Sequence, residues 1–210
     1  MKAAALFSGG KDSLYATYLV EKKGVIIDDL ITLLPTLPRP SPHAENIEAL
    51  KILADSMDKK LTIIDFRREG AFIQALGNLE IDGLVAGDVF VEAHKQGLKD
   101  VCDKLGLKLY EPLYGRDTSE LFHEIFGSGF KAAITGVNLK FVGEEILGFV
   151  ISRETGAEFL SRIKGNDPLG ENGEFHTLVL ECPLYSKPFK LETCEKIAAK
   201  DFVYLKVSIV

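Results

Sequence analysis

Along the 210 residues, short continuous apolar runs alternate with stretches whose apolar positions recur at helical spacing. Residues 3–7 form the first run and end on a glycine turn, which predicts a buried strand. A helix is expected over 12–23, with Leu14, Tyr18 and Leu19 on one face. Strand character returns at 28–35 through Leu30, Ile31, Leu33 and Leu34. Prolines crowd 35–42, so that segment must be an extended connection rather than a helix. Helices are then expected at 44–57 (Ile47, Leu50, Leu53, Met57), 71–78 and 92–105 (Leu98, Val101, Cys102, Leu105). Strands are expected at 61–66, 84–86 and 108–110.

This βαβα order with continuously apolar strands predicts an α/β fold, a parallel sheet with helices on both faces. In such Rossmann-like sheets ligands bind beyond the carboxyl ends of the strands. The texture then changes. Helices at 118–126 and 154–164, strands at 131–137 and 176–181, a polar loop at 165–173 and an alternating tail at 203–209 read as a smaller α+β lobe. The expected division is 1–112 for the nucleotide-type domain and 113–210 for a substrate-recognition lobe, with no internal repeat and no low-complexity tract.

Composition narrows the classes. A formal charge of −6, from 25 basic and 31 acidic side chains, argues against a broad nucleic-acid-binding face and so against a DNA partner. With 46% hydrophobic and 27% charged residues the chain is globular, not disordered. No run approaches the ~20 apolar residues of a membrane helix, and residues 3–7 are too short for a signal peptide, so a cytoplasmic protein is expected. Cys102, Cys182 and Cys194 form no C-x-x-C pair, and free thiols are expected.

Ser8-Gly9-Gly10-Lys11-Asp12-Ser13 lies between the first strand and the first helix. Two glycines let the main chain turn sharply and approach a ligand. The helix N-terminus favours an anion, Lys11 adds a positive charge, and Ser8 and Ser13 add hydroxyl donors. Asp12 cannot hold phosphate; it either caps the helix or holds a metal ion shared with the phosphates. The loop is not that of kinases and GTPases, because Ala5 stands where that pattern needs a glycine and Asp12 where it needs Ser or Thr.

Gly87-Asp88 closes the fourth strand at the same edge; Asp88 suits a metal or a ribose hydroxyl, and a plain strand-to-loop turn is the alternative. Further on, residues 166–177 gather Glu171, Asn172, Gly173, Glu174 and His176. If a strand begins at Glu174, it shares a face with His176. Such a set suits orienting a cationic or amide-bearing substrate or moving a proton, and a solvated polar turn is the bland alternative.

The S-G-G-x-D-S loop resembles that of the PP-loop ATP pyrophosphatases, whose fold is of the adenine nucleotide alpha hydrolase type. Gly170 to Thr177, G-E-N-G-E-F-H-T, resembles the diphthine–ammonia ligase (diphthamide synthase) family. Gly87-Asp88-Val89, Pro112-Leu113-Tyr114-Gly115-Arg116-Asp117, Gly143-Glu144-Glu145 and Leu147-Gly148 match it as well, so the similarity spans nearly the whole chain. The resemblance implies ATP cleavage between the α- and β-phosphates with Mg²⁺. Diphthine, a modified histidine on elongation factor 2, would be adenylated and captured by ammonia to give diphthamide, releasing AMP and pyrophosphate.

Expected residues follow from it. Ser8, Gly9, Gly10, Lys11, Asp12, Ser13 and Gly87 would bind ATP, Asp12 also the metal. Lys11, Asp88, Glu174 and His176 would take part in catalysis, and Glu171, Asn172, Gly173, Glu174 and His176 would meet the substrate. The chain departs from the family at Pro40-Ser41-Pro42-His43, where an aromatic-rich Ser-Tyr-Met-type segment is expected before the histidine. Rival readings are a tRNA-modifying or glutamine-dependent member of the superfamily, and a non-catalytic ATP-binding module. A homo-oligomer stays open.

Overall fold

The computed structural model describes residues 1–34, 42–65 and 67–210, the side chains of 193 and 194 apart. The expected connection at 35–42 therefore lies, but for Pro42, outside the described residues, as do positions 35 and 66 of two expected strands. Strands β1 (Lys2–Leu6), β2 (Ile26–Leu34), β3 (Lys60–Asp65), β4 (Gly83–Val85) and β5 (Lys108–Tyr110) form a five-stranded sheet of order β3-β2-β1-β4-β5. Every pairing in it is parallel.

The helices of this half are α1 (Lys11–Glu21), α2 (Pro42–Glu45), α3 (Ile47–Ser56), α4 (Ala71–Gly77) and α5 (Glu92–Leu105). The two-residue period of β1 sends neighbouring side chains to opposite faces. Ala3 and Ala5 join Leu14 of α1 with Leu50 and Leu53 of α3, whereas Ala4 joins Phe72 and Leu76 of α4 with Leu98 and Cys102 of α5. Helices thus cover both faces, as the continuous apolar strands predict. The chain runs from β1 outward to β2 and later from β1's other side to β4, so the ligand crevice of an open α/β sheet falls at the carboxyl ends of β1 and β4.

The second half contributes α6 (Thr118–Gly127), β6 (Lys131–Asn138), β7 (Val150–Ile151), α7 (Gly156–Arg162), β8 (Phe175–Glu181), β9 (Leu191–Ala199) and β10 (Phe202–Ile209). These strands make an antiparallel sheet of order β7-β6-β10-β9, with β8 also paired to β6. Apart from Lys131, every residue of β6 is buried, as suits its central place. One apolar core runs through both halves, joining Leu14 and Leu50 to Phe122, Phe130, Ile134, Leu178 and Val203.

Three expectations need correction. The helix expected at 44–57 is divided at Asn46, which is buried. Its Nδ2 donates to the carbonyls of Pro42 and Leu205, at 2.8 and 2.9 Å, and its Oδ1 accepts from Val207 N at 2.8 Å. Bonds to β10 thus replace helical continuity at that residue. Strands β7 and β9 were not foreseen; β7 is two residues long, and β9 (LETCEKIAA) has no clean alternation and is defined by its pairing with β10. Finally, β8 begins at Phe175, so Glu174 is a loop residue and not a strand neighbour of His176.

Candidate active site

Gly9 follows the end of β1 with φ +72°, and a Cβ there would come within 2.5 Å of Leu50 Cδ2 and 2.9 Å of Leu178 Cδ1. Only glycine meets both the dihedral and the space. Gly10 is the N-cap of α1 and offers no side-chain cap. Asp12 does not cap the helix either; its Oδ2 accepts from Lys11 Nζ at 2.8 Å. Ser8 and Ser13 tie the loop to itself: their hydroxyls lie 3.1 Å apart, Gly10 N donates to Ser8 Oγ at 3.3 Å, and Ser13 Oγ donates to the Gly10 carbonyl at 3.0 Å.

The loop is also stitched to the second half. Val179 N of β8 donates to the Gly9 carbonyl at 2.9 Å, and Lys11 N donates to Thr177 Oγ1 at 3.1 Å. Lys11 is 2% exposed, and its Nζ donates to the Leu169 carbonyl at 2.5 Å. The Phe175 ring lies 5.5 Å below that ammonium. Gly87 closes the approach from β4, since a Cβ there would stand 2.8 Å from the Asp12 main chain. The close approach that Gly87 permits is thus to the first turn of α1.

Two cavities meet at this loop. One, of about 250 Å³, lies at the carboxyl ends of β1, β2 and β4, between Phe7, Ile31, Thr32, Leu33, Gly87 and Asp88. The other, of about 230 Å³, is walled by Lys11, Gly170, Glu171, Gly173, Phe175 and His176. Ser8, Asp12 and His43 line both.

Charge in the second cavity is finely set. Burial first, then the charge of Asp12, raise the Glu171 carboxyl to about 8. Burial first, then His43 and Lys11, lower the His176 imidazole to about 3. Burial also lowers His43, against a hydrogen bond with the Ser8 backbone. The two rings meet edge to face, with centroids 5.4 Å apart, and both are uncharged at neutral pH. Asp12 Oδ1 is buried without a hydrogen-bond partner among the described residues. Asp88 Oδ1 lies 3.1 Å from His94 Nδ1.

Of the expected residues, Ser8, Asp12, Ser13, Gly87 and Asp88 line the first cavity, and Ser8, Gly10, Lys11, Asp12, Glu171, Gly173 and His176 line the second. Gly9, Asn172 and Glu174 line neither. Glu174 is buried, and its carboxylate accepts from Asp167 N (3.3 Å), Asn172 N (2.9 Å) and Asn172 Nδ2 (3.0 Å). It braces the loop that carries Glu171. Three residues escaped assignment from sequence: His43; Thr32, whose hydroxyl donates to the Phe7 carbonyl at 2.6 Å; and Thr177, whose hydroxyl holds Lys11 N. The signal for Thr32 was a lone hydroxyl in an apolar strand, and Thr177 stood in the quoted motif without a role.

Cys102 and Cys182 are buried free thiols, raised by burial to about 11 and about 12, and the expectation for the Cys194 thiol lies outside the described side chains. Among the described residues no helix is long and apolar enough to cross a membrane.

The sequence model of the diphthamide synthase N-terminal domain matches residues 1–109, and that of the diphthamide synthase C-terminal domain matches residues 117–209. Proteins named diphthine–ammonia ligase from Rattus norvegicus and Danio rerio are 28% and 24% identical; each alignment covers 99% of this chain, with 91% and 92% of the relative. That from Homo sapiens is 27% identical over 94% of this chain and 85% of its own. A solved structure, a predicted subunit of tRNA methyltransferase from Methanocaldococcus jannaschii, aligns at TM-score 0.44 and 18% identity, covering 63% of this chain and 77% of that one, a likeness too loose to bear on fold or function. Two domain models that together span both sheets and both cavities, and relatives that are ligases by name, show that the chain belongs to the diphthamide synthase family.

Proposed function

We propose that this ligase uses ATP to amidate diphthine on elongation factor 2, through an acyl-adenylate, to give diphthamide with release of AMP and pyrophosphate. The observation that carries the reading is the joint between the two cavities: a phosphate-type glycine loop whose main chain is bonded to β8, the strand into which Gly170–Thr177 runs. ATP would place its adenosine between Phe7, Ile31 and Gly87, and its pyrophosphate against the N-terminus of α1. The substrate carboxylate would enter the second cavity. Its oxygen attacks the α-phosphorus as pyrophosphate leaves; ammonia then attacks the acyl carbon and AMP departs.

Within that reading each residue has work of its own. Lys11 exchanges the Leu169 carbonyl for the charge growing on the leaving pyrophosphate. Asp88 faces the nucleotide from the end of β4. His176, uncharged, meets the acyl group as a hydrogen-bonding partner, while Glu171 and Gly173 bound the same cavity. Glu174 positions the loop without touching substrate, and Asn172 is held by it.

A magnesium ion fits the donor set. Asp12 carries a buried carboxylate oxygen with no hydrogen-bond partner among the described residues, and Mg²⁺ asks for one or two carboxylates beside phosphate oxygens and water. Bound there through Asp12, it would supply charge neutralisation to the phosphates. Among the described residues no cluster of three or more ligating side chains is formed, in keeping with an ion held chiefly by nucleotide.

The reading places the protein in the cytoplasm with its substrate. Incubation with diphthine-bearing elongation factor 2, ammonium and Mg-ATP should yield AMP, pyrophosphate and an amide on the factor. ATP turnover that ignores both acceptor and ammonium would overturn it.

A further inference from the structure

We propose that the turn after β6, which exposes Leu139 and Phe141, forms with Lys164 and Lys200 the surface on which the protein acceptor docks, meeting an apolar patch of that partner rimmed by carboxylates. The inference rests on the amidation reading above and adds where the elongation factor is held. A side chain carried by a folded protein enters the second cavity only when the surface around it lies against the cavity's rim. Among the seven exposed large apolar side chains described, Leu139 (45% exposed) and Phe141 (44%) are the two that share one turn. Exposed apolar side chains grouped within a polar rim mark protein interfaces.

That turn is bonded to two segments that wall the cavity. Asn138 N donates to the Glu174 carbonyl at 2.8 Å and Asn166 Nδ2 to the Phe141 carbonyl at 2.9 Å, which fastens the turn to the loop of Glu171 and Gly173. Leu139 N donates to the Asp201 carbonyl at 2.8 Å. The next residue, Phe202, has its ring 6.4 Å from that of His176, which lines the cavity. The same two segments bring the charges. Lys164 follows Ile163, whose carbonyl also accepts from Asn166 Nδ2, at 2.7 Å, and Lys200 precedes Asp201. Both lysines are exposed and neither is in an ion pair among the described residues, whereas Lys140 on the turn pairs with Asp201 at 3.0 Å. On a chain of net charge −6, two unpaired ammonium groups bordering an apolar pair suit an acidic partner rim.

Three variants test the surface: Leu139→Ser with Phe141→Ser, Lys164→Glu with Lys200→Glu, and Ile26→Ser as a control. Ile26 is exposed at the amino end of β2, the sheet edge opposite the cavities. Amidation is measured against the concentration of diphthine-bearing elongation factor 2, with ATP affinity by calorimetry. The serine pair should raise KM for the factor at least ~10-fold and leave kcat within about twofold, the mark of binding lost equally from ground and transition states. The lysine pair should raise KM more at low salt than at high salt. ATP affinity throughout, and the kinetics of Ile26→Ser, should stay within about twofold. The serine changes spare the main-chain bonds of the turn; should a thermal melt show that pair unfolded, the lysine pair carries the comparison. Unchanged KM in the folded serine pair, an equal rise in Ile26→Ser, or a fall in kcat alone would overturn the docking face and leave the amidation reading standing. A wild-type dimer in sedimentation that the serine pair dissolves would give the face to a second copy and overturn it too. A wild-type protein that makes no amide on the factor would defeat the elongation-factor reading, and the docking face with it.

Discussion

The ammonium of Lys11 donates to the main-chain carbonyl of Leu169, 158 positions later, at 2.5 Å. The cation of the phosphate loop therefore closes on the loop that frames the acceptor cavity. Replacing Lys11 by Ala removes both this bridge and the charge that the proposed reaction sets against pyrophosphate. AMP formation should fall by about 10²–10³, the usual loss for one transition-state donor. Measured pyrophosphate release at the wild-type rate would remove Lys11 from the chemistry.

Glu174 gives the contrasting case. Changing it to Ala leaves three loop donors without their acceptor and should cost roughly 1–3 kcal/mol of stability. ATP should still bind, since Glu174 borders neither cavity, while amidation is lost as the loop bearing Glu171 slackens. Calorimetry with ATP beside an amide assay separates the two effects. A loss of ATP affinity would move Glu174 into the nucleotide site.

Gly87→Ala probes how tightly β4 and α1 meet. The added methyl would stand 2.8 Å from Asp12 C and O and 2.9 Å from Ser13 Cα, all backbone with little freedom to yield. The first turn of α1 must shift, so ATP affinity should drop at least ~10-fold, with stability lower by about 1–3 kcal/mol. An unaltered Kd would show that the cradle tolerates the displacement.

His176 makes acid stability testable. Its folded value near 3 lies below the ordinary 6.5, so its contribution is complete above about pH 6.5 and is lost as pH falls toward 3. At pH 5 the loss is about 2 kcal/mol, or roughly 4–8 °C in Tm for a chain of this size. His176→Gln should flatten that acid limb in melts recorded from pH 7 to pH 4. Parallel curves for both proteins would count against a buried neutral imidazole.

How much of this could be read beforehand depended on range along the chain. The β1–loop–α1 unit was legible because its apolar run, glycines and helical stripe are contiguous. The division at Asn46 was not, because its cause is a set of bonds to Leu205 and Val207 in a strand far downstream. Leu191–Ala199 was invisible for a similar reason: its strand character comes from β10 and not from its own pattern. Within the site, the motifs singled out Lys11, His176 and Glu174 alike, and only the fold shows that the first two line a cavity while the Glu174 carboxylate holds loop amides. Charge next to a glycine motif looks alike in both roles until its hydrogen bonds are traced.

The bond from Val179 N to the Gly9 carbonyl has a mechanical consequence. A hinge that swung the two sheets apart would have to break this bond, pull Lys11 N from Thr177 Oγ1 and split the apolar core shared by both halves. Separation of the two sheets would therefore cost main-chain hydrogen bonding and apolar burial together.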